Sequence, residues 1–285
     1  MLRVKNNSII KKMKKSLLFA FFTLGISLSQ GATLIAHYGL GEADGLNNSV
    51  SGGTGGNFTP NNVTTTSSDP STLSPDSASS LELTTRSGVY SGLYGPNFSS
   101  LGTNWAMQFD LKTKGTASSF QSVLKIGSDT NGLQLIYGNG ASDQGSGLGF
   151  CVANNGGYVN RVMSTVNLTA NTWNKISIVC LNGNLHLFLG NTDITDTLTK
   201  TAGNGLNGIN YSADTLKLGY NNALSGNQSD FGVKNGTAYD EFKVWSIANG
   251  DSLDSVMSAM NIPEPATASL GLLALAPLLL RRRRA

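Results

Sequence analysis

The chain has 285 residues and a formal net charge of +3. That sign belongs to its ends: six of the twenty Lys and Arg precede residue 31 and four follow residue 280, so residues 32–261 hold ten cations against sixteen acids, a net charge of −6. An acidic body without a basic stripe excludes nucleic acid as a partner, because phosphate binding needs clustered Lys or Arg to displace counterions.

At the N-terminus Lys11, Lys12, Lys14 and Lys15 precede an apolar stretch from Leu17 to Leu28, and Ser29-Gln30-Gly31-Ala32 offers small residues for cleavage. Residues 1–31 are therefore expected to be a secretory signal peptide that is removed on export, with translation starting at Met1 or at Met13. Residues 32–261 have the length of one large β domain. The stretch from Asn47 to Ser80 is rich in Gly, Ser, Thr, Asn and Pro; it is expected to meander, with brief edge pairings at Asn57-Phe58-Thr59 and Asn62-Val63-Thr64. Leu81 and Leu83 begin a series of period-two segments. In the next, Trp105, Met107, Phe109 and Leu111 alternate with Ala106, Gln108, Asp110 and Lys112, giving one buried and one wet face.

Alternation recurs at Leu133, Leu135 and Tyr137, at Ile176, Ile178 and Cys180, at Leu185, Leu187 and Leu189, at Leu216, Leu218 and Tyr220, and at Phe242 and Val244. Asn182-Gly183, Asn207-Gly208 and Asn235-Gly236 are turn signals, and the first predicts a hairpin joining Ile176–Leu181 to Leu185–Leu189. Many short antiparallel strands with Gly and Asn turns predict an all-β fold of two packed sheets. Leu253, Val256, Met257 and Met260 have helical spacing, with Asp251 placed to cap a short helix over a sheet edge. Trp105, Trp173 and Trp245 lie within strand patterns and are expected to pack; if one serves as a ligand platform it is Trp245, on the face opposite Phe242 and Val244.

The C-terminal segment, residues 262–285, runs Pro263-Glu264-Pro265, an apolar stretch from Ala266 to Leu280, then Arg281, Arg282, Arg283 and Arg284. Its fifteen residues from Ala266 to Leu280 would reach about 22 Å as a helix, short of the roughly 30 Å hydrocarbon core. The segment is either a plain tail anchor or a temporary one. This ordered triad resembles the PEP-CTERM sorting signal of Gram-negative bacteria. The resemblance implies export across the inner membrane and transient anchoring by a short membrane helix with its arginines at the cytoplasmic face. It further implies recognition of the Pro-Glu-Pro residues by a membrane-embedded exosortase, and release to the cell surface or extracellular matrix.

Residues 33–247 carry a second resemblance. Leu34-Ile35-Ala36-His37-Tyr38-Gly39-Leu40-Gly41-Glu42, Trp105 to Leu111, Thr172 to Val179, Asn182-Gly183 through Gly190-Asn191, Leu216-Lys217-Leu218-Gly219 and Tyr239 to Trp245 follow the order of strands in a laminin-G-like domain. That domain belongs to the concanavalin A-like lectin and glucanase superfamily, and the resemblance implies an antiparallel jelly-roll sandwich. Asn174 and Lys175 depart from the His that often follows the Trp in that family, so a role attached to that histidine does not transfer.

Members of this superfamily often bind glycans or proteins, and many hold calcium, which takes six to eight oxygens. On that resemblance Glu42 and Asp240 are candidate calcium ligands, brought together if first and last strands pair; the other role for Asp240 is a strand-end carboxylate holding backbone N–H groups. Asn222, Asp230 and Asp143 are weaker candidates in loops. Tyr90, Tyr94, Tyr158 and Tyr211, in loop-like contexts beside Asn or Ser, are candidate sugar platforms. Cys151 and Cys180 are either bridged, as an exported chain allows, or two small buried residues.

Catalytic patterns are missing. The glucanases of the superfamily carry Glu-x-Asp-x-x-Glu on one strand, with carboxylates about 5 Å apart for retention; here Glu42-Ala43-Asp44 lacks the second Glu and falls after the first strand. Asp240 and Glu241 are adjacent and on a regular strand point to opposite faces. His37 and His186 have no triad neighbours. The chain is thus expected to be a non-enzymatic, exported surface or matrix protein that binds polysaccharide or surface proteins through its jelly roll. The alternatives are an exopolysaccharide-associated structural protein without a specific ligand and a divergent glycan hydrolase.

Overall fold

A computed structural model describes residues 31–61, 64–83, 92–114, 121–127, 132–139, 146–154, 158–202, 215–219 and 236–261. Among the described residues sixteen strands and one short α-helix follow in order: β1 Thr33–Tyr38, β2 Thr59–Asn61, β3 Thr64–Ser67, β4 Ser80–Leu83, β5 Gly92–Asn97, β6 Trp105–Lys112, β7 Gln121–Gly127, β8 Gly132–Asn139, β9 Ser146–Asn154, β10 Tyr158–Met163, β11 Trp173–Leu181, β12 Asn184–Leu189, β13 Thr192–Asp193, β14 Thr199–Ala202, β15 Thr215–Leu218, β16 Thr237–Ser246 and α1 Leu253–Ala259. The first sheet runs β13-β12-β11-β6-β16-β4-β3 with β1 also beside β16, and the second runs β14-β10-β9-β8-β7-β15-β5-β2. Adjacent strands are antiparallel throughout, as the short turns require.

The alternating apolar residues meet between the sheets. Met107, Phe109, Ile176, Ile178, Phe242 and Val244 of the first sheet share one buried cluster with Leu124, Leu135, Phe150 and Val152 of the second. Phe58, from the Gly/Ser/Thr-rich stretch, plugs one end of it, 4.7 Å from the Tyr38 ring and 5.6 Å from Phe242 between centroids. The buried Tyr239 hydroxyl donates to the Val123 carbonyl at 2.9 Å, a polar tie between the two layers. That stretch supplies β2 and β3 near the two predicted pairings, so it is part of the sandwich.

The β11–β12 hairpin turns on Asn182 (φ 52) and Gly183 (φ 77) between paired Leu181 and Asn184. Positive φ at both central residues is what a two-residue turn of the right twist demands, and Asn-Gly is the pair that adopts it most readily.

Three expectations are corrected by packing. The N-cap of α1 is Ser252, which exchanges hydrogen bonds with Ser255; Asp251 instead accepts the Ala248 N–H at 3.0 Å. The helix covers a face, not an edge: Val256, Met257 and Met260 seal Ala106, Val179, Phe188 and Trp245 on the outside of the first sheet. Trp245 is only 4% exposed beneath it and offers no platform. Cys180 faces the core from the first sheet and Cys151 lies in the second, and both are free thiols whose ionisation burial pushes up to about 12.

Replacing the capping hydroxyl, Ser252→Ala, is expected to cost about 1 kcal/mol in urea unfolding, and Asp251→Ala less than half of that. The reverse ranking would return the cap to Asp251.

Candidate functional site

Strand β16 sits at the centre of the first sheet. Along one side it pairs with β6; along the other its first half pairs with β4 and its second half with β1. The changeover falls at Asp240 and Glu241. Asp240 opposes Asp110, but Lys243 opposes Gln108, so β16 carries one extra residue there, and Glu241 takes φ 52. A β-bulge of this kind re-aims side chains. It turns Glu241 onto the same outer face as Asp240, against the opposite-face expectation from strict alternation.

Asp110 and Asp240 stand opposite each other on that face, and both are fully buried. Buried carboxylates need donors, and residues 69–80 lie over them as a strap that provides these. Asp240 Oδ2 accepts the Ser71 N–H at 2.9 Å and the Ser77 hydroxyl at 2.6 Å, while its Oδ1 accepts the Glu241 N–H at 2.8 Å. Asp110 Oδ2 accepts the hydroxyls of Ser71 and Ser74 at 2.6 and 2.8 Å, and Lys175 Nζ lies 3.3 Å from its Oδ1. Lys112 pairs with Asp69 at the start of the strap. Burial pushes the Asp240 carboxyl up to about 6, against the pull of the hydrogen bonds from Ser77 and Ser71. Burial also acts to raise Glu241, but His37 Nε2 at 2.9 Å and Lys243 Nζ at 2.6 Å outweigh it and hold the carboxyl down at about 2.

Beside this closed cluster the surface opens. Past the end of β1, turns at residues 40–46 and the approach to β2 enclose a cleft of about 540 Å³ whose polar lining includes Glu42, Asp44, Asn47, Asn57 and Thr59. Its wall is tied down by Asn48, whose amide donates to the Ile35 and Thr54 carbonyls and accepts from the N–H groups of His37 and Val50, each at 3.1 Å. Gly41, at φ 108, lies so close to the Ser80 backbone that a Cβ would sit 2.2 Å from its carbonyl carbon, so no other residue fits. Glu42 joins cleft and strap: its Oε1 accepts the Ala78 N–H at 3.1 Å.

The two candidate calcium ligands thus converge on one strap, Glu42 at Ala78 and Asp240 at Ser71 and Ser77, because β1 and β16 do pair. Asp240 holds a backbone N–H, the second of its expected roles, and no group of three His, Cys, Asp or Glu suited to a metal occurs among the described residues. Tyr94 and Tyr158 lie in strands of the second sheet, not in loops; Tyr94 sits between Thr59 and Lys217 in register, with Lys217 Nζ 5.5 Å from its ring centroid. Tyr90, Tyr211, Asp143, Asn222, Asp230, Pro263, Glu264, Pro265 and Arg281 to Arg284 lie outside the described residues.

Chemically, the buried aspartates are closed to any substrate, and Glu42 and Asp44 stand in turns instead of sharing a strand face. Sequence reasoning missed Asp110 and the strap serines; the available signal was a carboxylate central to a strand together with the serine run from Ser67 to Ser80.

Stability should follow these two carboxyls in opposite directions. Glu241, depressed in the fold, contributes stability that is complete above its unfolded value of about 4.5 and is lost as pH falls through about 2; Glu241→Gln should remove about 3 kcal/mol of that acid dependence. Asp240, raised in the fold, makes stability decline as pH rises from about 3.8 to about 6, and Asp240→Asn should flatten this arm of a urea-unfolding pH profile. Unchanged profiles in both variants would show that neither group is titrating as its surroundings dictate.

No protein-family model matches the chain, and no curated protein matches it significantly in sequence. Solved structures do share its shape. One is domain 4 of AbnA, a GH43 extracellular arabinanase from Geobacillus stearothermophilus in complex with arabinotriose: 14% identity, a TM-score of 0.52, covering 80% of this chain and 100% of that one. The binding domain of Paraclostridial Mosquitocidal Protein 1 follows at 15% identity and a TM-score of 0.51, covering 79% of this chain and 51% of that one. The binding domain of botulinum neurotoxin DC in complex with rat synaptotagmin II has 12% identity and a TM-score of 0.50, covering 81% and 52%. The chain spans about half the length of these two toxin structures. At such identities the likeness is one of fold, a two-sheet antiparallel jelly-roll sandwich.

Proposed function

We propose that this chain is an exported, non-catalytic glycan-binding protein whose ligand enters the cleft beside Glu42, Asp44, Asn47 and Asn57. The cleft carries the proposal: a concavity of about 540 Å³ falls within the size range of ligand sites, and its carboxylates, amides and hydroxyl suit sugar hydroxyls. Its position adds support. The domain begins and ends together, since Thr33 pairs with Ser246 and Gly31 packs against Ser255 and Ala259 of α1. The cleft lies past the other end of β1, about 20 Å away at the rise of a strand. A domain tethered through residues 262–285 therefore holds the cleft away from its tether. The arabinanase domain of the same fold is solved with arabinotriose, which favours a sugar as the ligand class. Fold likeness alone does not make a site, so the weight rests on the cleft.

The sorting part of the proposal is that an exosortase acts at Pro263-Glu264-Pro265 and releases the domain from its short membrane helix to the cell surface or matrix. Glu264→Ala in the producing cell should trap the arginine-tailed chain in the membrane fraction, read by intact mass. Release of the same truncated product from that variant would overturn it.

On an array of extracellular polysaccharides the purified domain should bind saturably. The double variant Asp44→Ala/Asn47→Ala, at two exposed positions, should lose binding at least about tenfold with unchanged melting. Absence of binding throughout would leave a matrix protein with no specific ligand. Loss with Tyr94→Ala alone would move the site to the second sheet.

A further inference from the structure

Resting on the cleft as the binding site, we propose that its ligand bears free amino groups: a polysaccharide or oligosaccharide of un-acetylated amino sugars. Among the described residues the lining holds two carboxylates, Glu42 and Asp44, with the amides of Asn47 and Asn57, and no Lys, Arg or His. Among the described residues four cations on the neighbouring outer face are already engaged. Lys112 pairs with Asp69, Lys175 with Asp110, and Lys243 and His37 share Glu241. The cleft therefore keeps a negative potential that walls of one sign concentrate.

The acceptors are fixed yet partly unspent. Glu42 gives Oε1 to the Ala78 N–H, and a carboxylate has a second oxygen with lone pairs to offer. Asp44 is exposed, in a turn closed by its own carbonyl accepting the Asn47 N–H at 2.8 Å. A uronate or sulfated glycan meets repulsion here. A neutral sugar makes hydrogen bonds but leaves both charges uncompensated. A protonated sugar amine supplies three donors and the opposite charge, forming charge-assisted bonds. Bare calcium fits less well, because it takes six to eight oxygens, several of them charged in tight sites, and no third Asp, Glu, His or Cys joins the pair among the described residues.

Calorimetry on the purified domain with a glucosamine hexamer, its fully N-acetylated counterpart and an oligogalacturonate, each with and without calcium, tests this. The hexamer should bind, with the acetylated form at least about tenfold weaker and the galacturonate silent. Glu42→Gln, which keeps the acceptor for Ala78, and Asp44→Asn should each weaken binding about fivefold, with the effect fading at high salt. Equal binding of both hexosamine forms, still lost in Asn47→Ala, would overturn the amine inference and leave the cleft proposal standing. A strict calcium requirement removed by Asp44→Asn would overturn it in favour of a metal. Binding indifferent to every cleft substitution, or no binding of any sugar, would remove both.

Discussion

Two carboxylates buried against each other at the centre of a sheet constrain this molecule more than any other contact. Asp110 and Asp240 are cross-strand neighbours with no exposure, and leaving such groups without donors costs several kcal/mol apiece. Of the backbone groups of β6 and β16 only the Glu241 N–H, at the bulge, reaches this pair, bonding Asp240 Oδ1; the remaining oxygens need donors from elsewhere. The strap of residues 69–80 must therefore close over the sheet, and its serines put two donors on Oδ2 of each aspartate. Once seated, the strap presents Ala78 to Glu42, and the wall of the cleft acquires its position. A solvent-accessible cleft is in this sense a by-product of satisfying an inaccessible pair.

The bulge at Glu241 belongs to the same solution. A non-glycine residue at positive φ costs on the order of 1 kcal/mol or more, and here the strained residue is held by His37 and Lys243 on neighbouring positions of the outer face. The extra residue lets β16 leave β4 and take up β1 without losing its register with β6 on either side. The outer face of the first sheet is consequently divided, with an apolar half under α1 and a polar half under the strap. The same strand thus carries tryptophan under a helix at one end and aspartate under serines at the other.

Much of the fold was legible in the chain because period two survives wherever one face of a strand meets a core. The strand from Trp105 to Lys112, the leucines of β4, β8, β12 and β15, and the Asn182-Gly183 turn all fall where local stereochemistry puts them, but the face of Ala106, Gln108 and Asp110 that alternation marks as wet is buried. Of the two short pairings expected in the Gly/Ser/Thr-rich stretch, Thr59 and Thr64 fall at the starts of β2 and β3, Asn57 and Phe58 precede β2, and Asn62 and Val63 lie outside the described residues. The helix was legible by spacing but not in its cap or its placement, because Ser252 and Asp251 are equal on paper and differ only in which backbone N–H each meets. Tyr94 looked like a loop residue because the glycines around it do not alternate, yet pairing from β2 and β15 makes it a strand.

Residue order by itself determined the class of structure: two layers of antiparallel ribbon around an alternating core, a short helix with an apolar stripe, and an acidic body. Glu42 and Asp240 could be named in advance as carboxylates near the joined ends of first and last strands. Only the tertiary structure decided what they do, because their partners lie 36 and 163 to 169 positions away in sequence. It alone placed Asp110 under two serines, turned Glu241 outward through one surplus residue, and set the thiols of Cys151 and Cys180 on different sheets. Periodicity encodes which face a side chain takes while a strand stays regular; it is silent where a bulge breaks the count, or where a distant loop supplies the hydrogen bonds that burial demands.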